Sequence, residues 1–237
     1  MFGQRITIGR RSRDEAEKPF WISFADLMTA LMVLFLLVMS VSLLAVTKRV
    51  TEQEKREAKR EREIAQLIKR IEQVVDAETG LNFDRNRTVI DFGDRARFDN
   101  KSYTLRPEQE RLLRGFVPKV LEIAREKVGQ RWLKRVVVEG FTDRNGTYLY
   151  NLNLSLQRSQ RVICALMAAP GPAERPMTRL EREEIRRLFL VGGYSSNSAK
   201  TSLEASRRIE LRLEFYGIDE APKQTEPFLS EFGACAL

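Results

Sequence analysis

A chain of 237 residues is long enough for one folded core with accessories, and although 43% of its residues are hydrophobic, they crowd between 20 and 46. The net charge of +8 comes from 41 basic residues interleaved with 33 acidic ones, without a long basic run. That pattern argues against nucleic-acid binding; basic residues beside anionic lipid explain part of it more simply. The absence of histidine removes His-based triads, the commonest general base and most zinc sites. Two cysteines, Cys164 and Cys235, cannot close a zinc site. The simpler expectation for them is one buried thiol in a helix and one loose thiol in a tail. A single disulfide is the alternative if the C-terminal part lies outside the cytoplasm.

Residues 1–18 form a basic tail with Arg5, Arg10, Arg11, Arg13 and Lys18. Residues 19–46 read as an uncleaved transmembrane helix: twenty uncharged residues, Leu27 to Val46, match the apolar core of a bilayer, and Phe20 and Trp21 suit its interface. Lys and Arg flank both ends, so charge alone does not set the orientation. Asp26 is the one charge between Phe20 and Val46. It admits two readings. Ser23 and Asp26 have the spacing of a helix N-terminal cap, which would leave Asp26 at the rim. Alternatively, Asp26 lies below the headgroups as an ion-carrying acid, with Ser23, Ala30 and Val33 on its face and Thr29 beside it. A single span cannot enclose a channel, so a partner would have to complete the pathway.

Residues 47–80 are expected to form a polar helical linker. Its first part is laced with alternating charges; Ile64, Leu67, Ile68, Ile71, Val74 and Val75 then return at helical spacing. That stripe either docks on the following domain or forms a short dimer contact. Residues 81–217 read as an α/β (α+β) domain with helices packed on one face of a mixed sheet. The expected elements are a strand at 87–93, a helix at 107–129 bent at Pro118, a strand at 133–140 and a helix at 151–168. The apolar face of that helix is read as Leu152, Leu156, Ile163 and Leu166. A short helix capped by Thr178 and Glu181 and strands at 186–195 and 206–217 complete the domain. Residues 218–237, with Pro222 and Pro227, read as a tail without periodicity.

"GFTDRNG" (140–146) lies between a strand and a helix, and Asn151, Ser155 and Arg158 recur along one flank of that helix. Asp143 and Arg158 could border one shallow pocket suited to a zwitterion, the acid for an ammonium and the arginine fork for a carboxylate. The competing reading is a turn, a helix-start asparagine and a structural salt bridge. No nucleophile and base stand together, so a binding protein rather than an enzyme is expected.

This segment resembles the OmpA-like peptidoglycan-binding domain, whose signature runs roughly GHTD-x-x-G then N-x-x-LS-x-x-R. Gly140, Thr142, Asp143, Gly146, Asn151, Leu154, Ser155 and Arg158 match it. Phe141 stands where the family has histidine. "GGYSSNSA" and "SRRIEL" resemble later strands of that domain, with Ser206 in place of an asparagine. The likeness covers roughly 87–216. It implies that Asp143 and Arg158 grip the diaminopimelate of a cell-wall stem peptide, with Asn151 and Leu154 beside them.

"PFWISFADLMTALMVLFLLVMS" resembles the single span of MotB-type stator subunits, in which an aspartate in an F-A-D-[LM]-x-T context binds the driving ion. The layout is most similar to the wall-anchored subunit of Zorya-type anti-phage defence systems, ahead of a flagellar stator. That resemblance implies a single-pass inner-membrane protein with its N-terminus in the cytoplasm and its domain in the periplasm. It implies that Asp26 binds the driving ion, with Ser23 and Thr29 as lesser candidates; a proton is expected rather than sodium because no further cation ligand stands out beside those two hydroxyls, and no cofactor is expected. Its implied partners are a MotA-like multi-span ring, a second copy of the chain, peptidoglycan and cytoplasmic defence effectors. A static wall tether, without ion flow, is the rival reading.

Overall fold

The computed structural model describes residues 14–171, 174–220 and 231–235, with side chains from residue 21 onward. Most of the basic tail and both tail prolines lie outside the described residues. The chain divides into two units, residues 1–57 and 58–237.

Helix α1 (Asp14–Asp76) begins in the first unit. Every residue from 21 to 57 is exposed, and the helix is long and apolar enough to cross a bilayer. At about 1.5 Å per residue, Leu27 to Val46 alone spans roughly 30 Å, the thickness of the hydrocarbon core. Leu, Met, Phe and Val facing outward on all sides mark a helix meant for lipid or partner helices rather than for one side of a soluble core.

In the second unit the last turns of α1 dock on the folded domain. Leu67, Ile71 and Val75 are buried in its core and Val74 packs against it. These residues of the 64–75 stripe thus pack on their own domain. Polar contacts fix the same helix. The Trp132 indole N–H donates to Glu63 at 2.6 Å, and Arg60 donates to the Tyr216 carbonyl at 2.8 Å. The Trp132 hydrogen bond, with Arg131 beside it, holds the Glu63 carboxyl below its ordinary range despite some desolvation.

The domain then runs β1 (Asn82–Asp84), β2 (Val89–Asp91), α2 (Pro107–Arg125), α3 (Lys127–Trp132), β3 (Leu133–Gly140) and α4 (Tyr148–Met167). It ends with α5 (Arg179–Leu188), β4 (Phe189–Gly193), the one-turn α6 (Leu203–Ser206) and β5 (Ile209–Phe215). The five strands form a mixed sheet in the order β1-β2-β5-β3-β4, in which only β3 and β4 are parallel. Val136, Val138, Ile209, Leu211 and Leu213 point into a core with Phe116 and Val120 of α2, Val162 and Leu166 of α4 and Ile185 of α5. The alternate positions carry charge. The carboxylate of Glu139, fully buried, accepts two hydrogen bonds from Arg212, and Glu210 pairs with Arg208 and Arg87. Period-two alternation thus separates an apolar face under helices from a face of ion pairs.

Several boundaries differ from expectation. β1 was not anticipated, because three residues give no periodicity; its turn is made by Asp84, whose carboxylate accepts from the N–H groups of Asn86 and Arg87. The helix expected at 107–129 breaks at Glu126, whose backbone is extended, and Pro118 sits inside α2 without ending it. The apolar face assigned to α4 was rotated: Leu154, Val162, Ala165 and Leu166 are buried, whereas Leu156 is exposed and Leu152 and Ile163 are half-buried. The buried side also holds Asn151, Ser155, Arg158 and Ser159, which an apolar count passes over. The capping box of α5 is as read: Thr178 accepts from the Glu181 N–H and Glu181 accepts from that of Thr178.

The cysteines correct the free-thiol expectation. Cys164 on α4 and Cys235 form a disulfide, with Cα atoms 5.6 Å apart across 71 residues of sequence. Sequence could not bring a tail residue to a helix residue. The purified chain is expected to migrate faster without reductant than with it on a denaturing gel, and Cys235→Ser to abolish the difference. Maleimide labelling of both thiols without reductant would refute the pairing.

Candidate functional site

Two sites were singled out, one in each unit. In the first, Asp26 lies more than three turns inside α1, which starts at Asp14. The cap reading therefore fails: the preceding residues are helical, so Asp26 has no helix N-terminus to complement. The Thr29 hydroxyl donates to the Asp26 backbone carbonyl at 2.8 Å, one turn back, so its hydrogen is committed to the helix while its oxygen can still accept. Along α1 the nearest other carboxylates are Glu17, about two and a half turns before Asp26, and Glu52, about seven turns after it. A lone carboxylate in an outward-facing apolar helix is costly when charged and unpaired.

The second site is built where β3 ends and α4 begins. The two elements approach so closely that a Cβ on Gly140 would lie 2.0 Å from the Ser155 carbonyl oxygen. The chain then turns through 141–147, using a left-handed φ of +100° at Gly146, and enters α4 with the Thr147 hydroxyl accepting from the Tyr150 N–H. This turn places Asp143 over the first turn of α4. A narrow, shallow cleft there is lined by Asn100, Lys101, Thr142, Asp143, Asn145, Tyr150, Asn151, Leu154 and Arg158. The four wall-binding residues expected from sequence, Asp143, Asn151, Leu154 and Arg158, all line it.

Their connections differ from the expected acid–arginine pair. Asp143 is bonded not to Arg158 but to Arg207, which donates to Oδ2 at 3.2 Å; the Asn145 N–H donates to Oδ1 at 3.0 Å. Asn151 Nδ2 donates to the Asp143 carbonyl at 3.4 Å. Arg158 is 1% exposed and gives its hydrogens to three backbone carbonyls: Ser102 at 2.9 Å, Phe141 at 2.7 Å and Asp99 at 3.1 Å. Its guanidinium also lies 5.0 Å from the centre of the Phe98 ring. Burial pushes this guanidinium down to about 10, against the pull of Asp143 and helped by the repulsion of Arg207. It remains charged at neutral pH.

Arginine has five N–H donors, so three carbonyl bonds leave one on each terminal nitrogen for a ligand. Among the described residues no carboxylate lies within ion-pairing distance of Arg158. The buried Thr142 hydroxyl has no hydrogen-bond partner among the described residues either. A buried cation fork, an unpartnered hydroxyl and a carboxylate held in place suit a small ligand bearing both carboxylate and ammonium groups. Arg207 was missed as a site residue. Its only signal was the arginine pair in "SRRIEL", and only folding brings the start of β5 to the turn after β3.

Residues 9–55 match the family of membrane MotB of the proton-channel complex MotA/MotB, and residues 97–181 match the OmpA family. Zorya protein ZorB of Escherichia coli O139:H28 (strain E24377A / ETEC) is 46% identical over 221 residues, covering 93% of this chain and 90% of that one. The periplasmic domain of Helicobacter pylori MotB is 16% identical, covers 59% of this chain and 90% of its own, and superposes with a TM-score of 0.41. The OmpA-like domain of FopA1 from Francisella tularensis subsp. tularensis SCHU S4 is 15% identical, covers 58% and 82%, and gives 0.37.

Arg158→Lys keeps the charge but gathers its donors on one nitrogen, whereas the three carbonyls are served by Nε, Nη1 and Nη2. It is expected to destabilise the domain by about 2–3 kcal/mol, read as a lower melting temperature of the detergent-solubilised chain. An unchanged melt would show that the three bonds do not hold the cleft together.

Proposed function

Because the chain belongs to the Zorya protein ZorB family, we propose that it is the ion-carrying, cell-wall-anchored subunit of a proton-driven inner-membrane rotary motor serving anti-phage defence. The observation that carries this reading is Asp26, a lone carboxylate well inside an exposed apolar helix, in the same chain as a domain with a charged cleft. A static tether needs the domain and an anchor but has no use for that acid.

The mechanism follows from the cost of the charge. Deprotonated Asp26 seeks polar groups of a partner; protonated, it can face apolar surface. Each proton falling through the membrane potential supplies about 2.3 kcal/mol per 100 mV, comparable with the roughly 2–3 kcal/mol penalty for a carboxylate at mid-depth. Two copies of the chain inside a MotA-like multi-span ring would present Asp26 to successive ring subunits. Peptidoglycan held in the Asp143–Arg158 cleft would keep this chain still while the ring turns, and the turning would act on cytoplasmic effectors. A proton is preferred to sodium because no second carboxylate stands near Asp26 along the helix. Ser23 and Thr29 offer only hydroxyls.

An N-terminus in the cytoplasm and a domain in the periplasm agree with the Cys164–Cys235 disulfide, since such bonds persist in oxidising compartments. The 46% identity to a Zorya protein favours defence over flagellar motility.

Asp26→Asn is expected to abolish protection against phage while the membrane complex still assembles, judged by plaque counts and co-purification of the ring subunit. Normal protection would leave the static tether as the better account. Asp143→Ala, with its melt checked, is expected to lose at least nine-tenths of retention on purified peptidoglycan in a pull-down. Full retention would remove wall binding from this cleft.

A further inference from the structure

The charges around the cleft do not balance. The residues lining it include one carboxylate, Asp143, and two cations, Arg158 and Lys101, and that carboxylate is already paired with Arg207. Among the described residues neither Arg158 nor Lys101 has a carboxylate within ion-pairing distance, so the site holds two cationic groups without an internal counter-ion.

Lys101 is also held in an unusual way. Its backbone φ is +56°, the left-handed region that a lysine rarely adopts. The loop bearing it is clamped from both sides. Arg158 donates to the carbonyls of Asp99 and Ser102, and Arg207 donates to that of Phe98 at 3.0 Å. The Ser102 N–H donates to the Asp99 carbonyl at 3.2 Å, and the Phe98 N–H to that of Arg207 at 2.9 Å. Such strain persists only where surrounding bonds over-determine it. Here those bonds come from Arg158 and from Arg207, the partner of Asp143, and the lysine they hold is an exposed residue of the cleft lining.

We propose that Lys101 is a second anion subsite, so that the cleft takes a stem-peptide end with two free carboxylates around one ammonium. The buried Arg158 fork receives one carboxylate, Asp143 the ammonium, and Lys101 the other carboxylate. This rests on the wall-binding reading above and adds a selectivity to it: amidation of a stem-peptide carboxylate removes one of the two anionic contacts. Lys101 thereby ties wall recognition to the state of the peptide's acids.

The test uses the full chain in detergent micelles and three soluble muramyl peptides: one with both carboxylates free, one amidated on the diamino acid, and one amidated at the peptide's C-terminus. Affinity is measured by calorimetry at 150 mM salt. Lys101→Met is expected to weaken the free peptide about three- to fivefold, as for a partly exposed ion pair, with an unchanged melt, and Lys101→Arg to restore binding. For one of the two amidated peptides, the one lacking the acid that Lys101 meets, the substitution should have no further effect. Equal binding of all three peptides by wild type and Lys101→Met would overturn the subsite, as would equal weakening of all three. Failure of the wild-type chain to bind any of them would instead overturn the wall-binding reading, and the subsite with it.

Discussion

The cleft depends on one contact, the buried guanidinium of Arg158. Removing such a cation from water costs several kcal/mol unless it is paired or hydrogen-bonded. The fold offers three carbonyl dipoles and an aromatic face, but no carboxylate within ion-pairing distance among the described residues. Those carbonyls belong to two separate stretches of backbone: the residue after β3, Phe141, and the turn between Asp99 and Ser102. The arginine thus joins α4, β3 and the loop before α2 at one point, and the cleft is the space left between them. Burial depresses the arginine's pKa to about 10, against the pull of Asp143.

Asp26 poses the same electrostatic problem in the other unit with the opposite sign. There the surroundings offer a threonine hydroxyl already committed to the backbone and a sheath of leucine, methionine and phenylalanine. A cation fixed by carbonyls is permanent, suited to holding something. The chain therefore carries a guanidinium fixed by carbonyls in its folded domain and a carboxylate without a fixed partner among the described residues in its apolar helix.

The architecture was legible because alternation and helical spacing report burial directly: the mixed sheet, α2, α4 and the capped α5 all follow from it. The site was legible in part. Asp143, Asn151, Leu154 and Arg158 share the cleft, as motif spacing suggested. What misled was counting apolar residues on α4, since its buried face is half polar; Ser155, which also accepts from the Ser195 N–H, packs where a leucine was expected. Arg207 and Lys101 were out of reach. The first arrives from a strand more than sixty residues later in the chain, and the second depends on a left-handed turn that no periodicity encodes. The disulfide escaped for the same reason: pairing is a property of the folded chain.

The two departures from the OmpA-like pattern can now be placed. Phe141 does not line the cleft. Its ring is buried, stacked on Tyr194 at 5.3 Å with the Arg208 guanidinium 4.0 Å from its centre. Its contribution to the cleft is its backbone carbonyl, which holds Arg158 and which any side chain at that position would supply. Ser206 is likewise buried behind the site, where its hydroxyl accepts from the Lys200 N–H and donates to the Ser202 carbonyl. That closes the loop preceding β5 and so sets the start of the strand that carries Arg207. Both substitutions alter the layer that supports the cleft and leave its ligand-facing groups in place. The aromatic and arginine stack around Phe141 fills that position by packing, without a second ionisable group, and the charge of the cleft is left to Asp143, Arg158 and their neighbours.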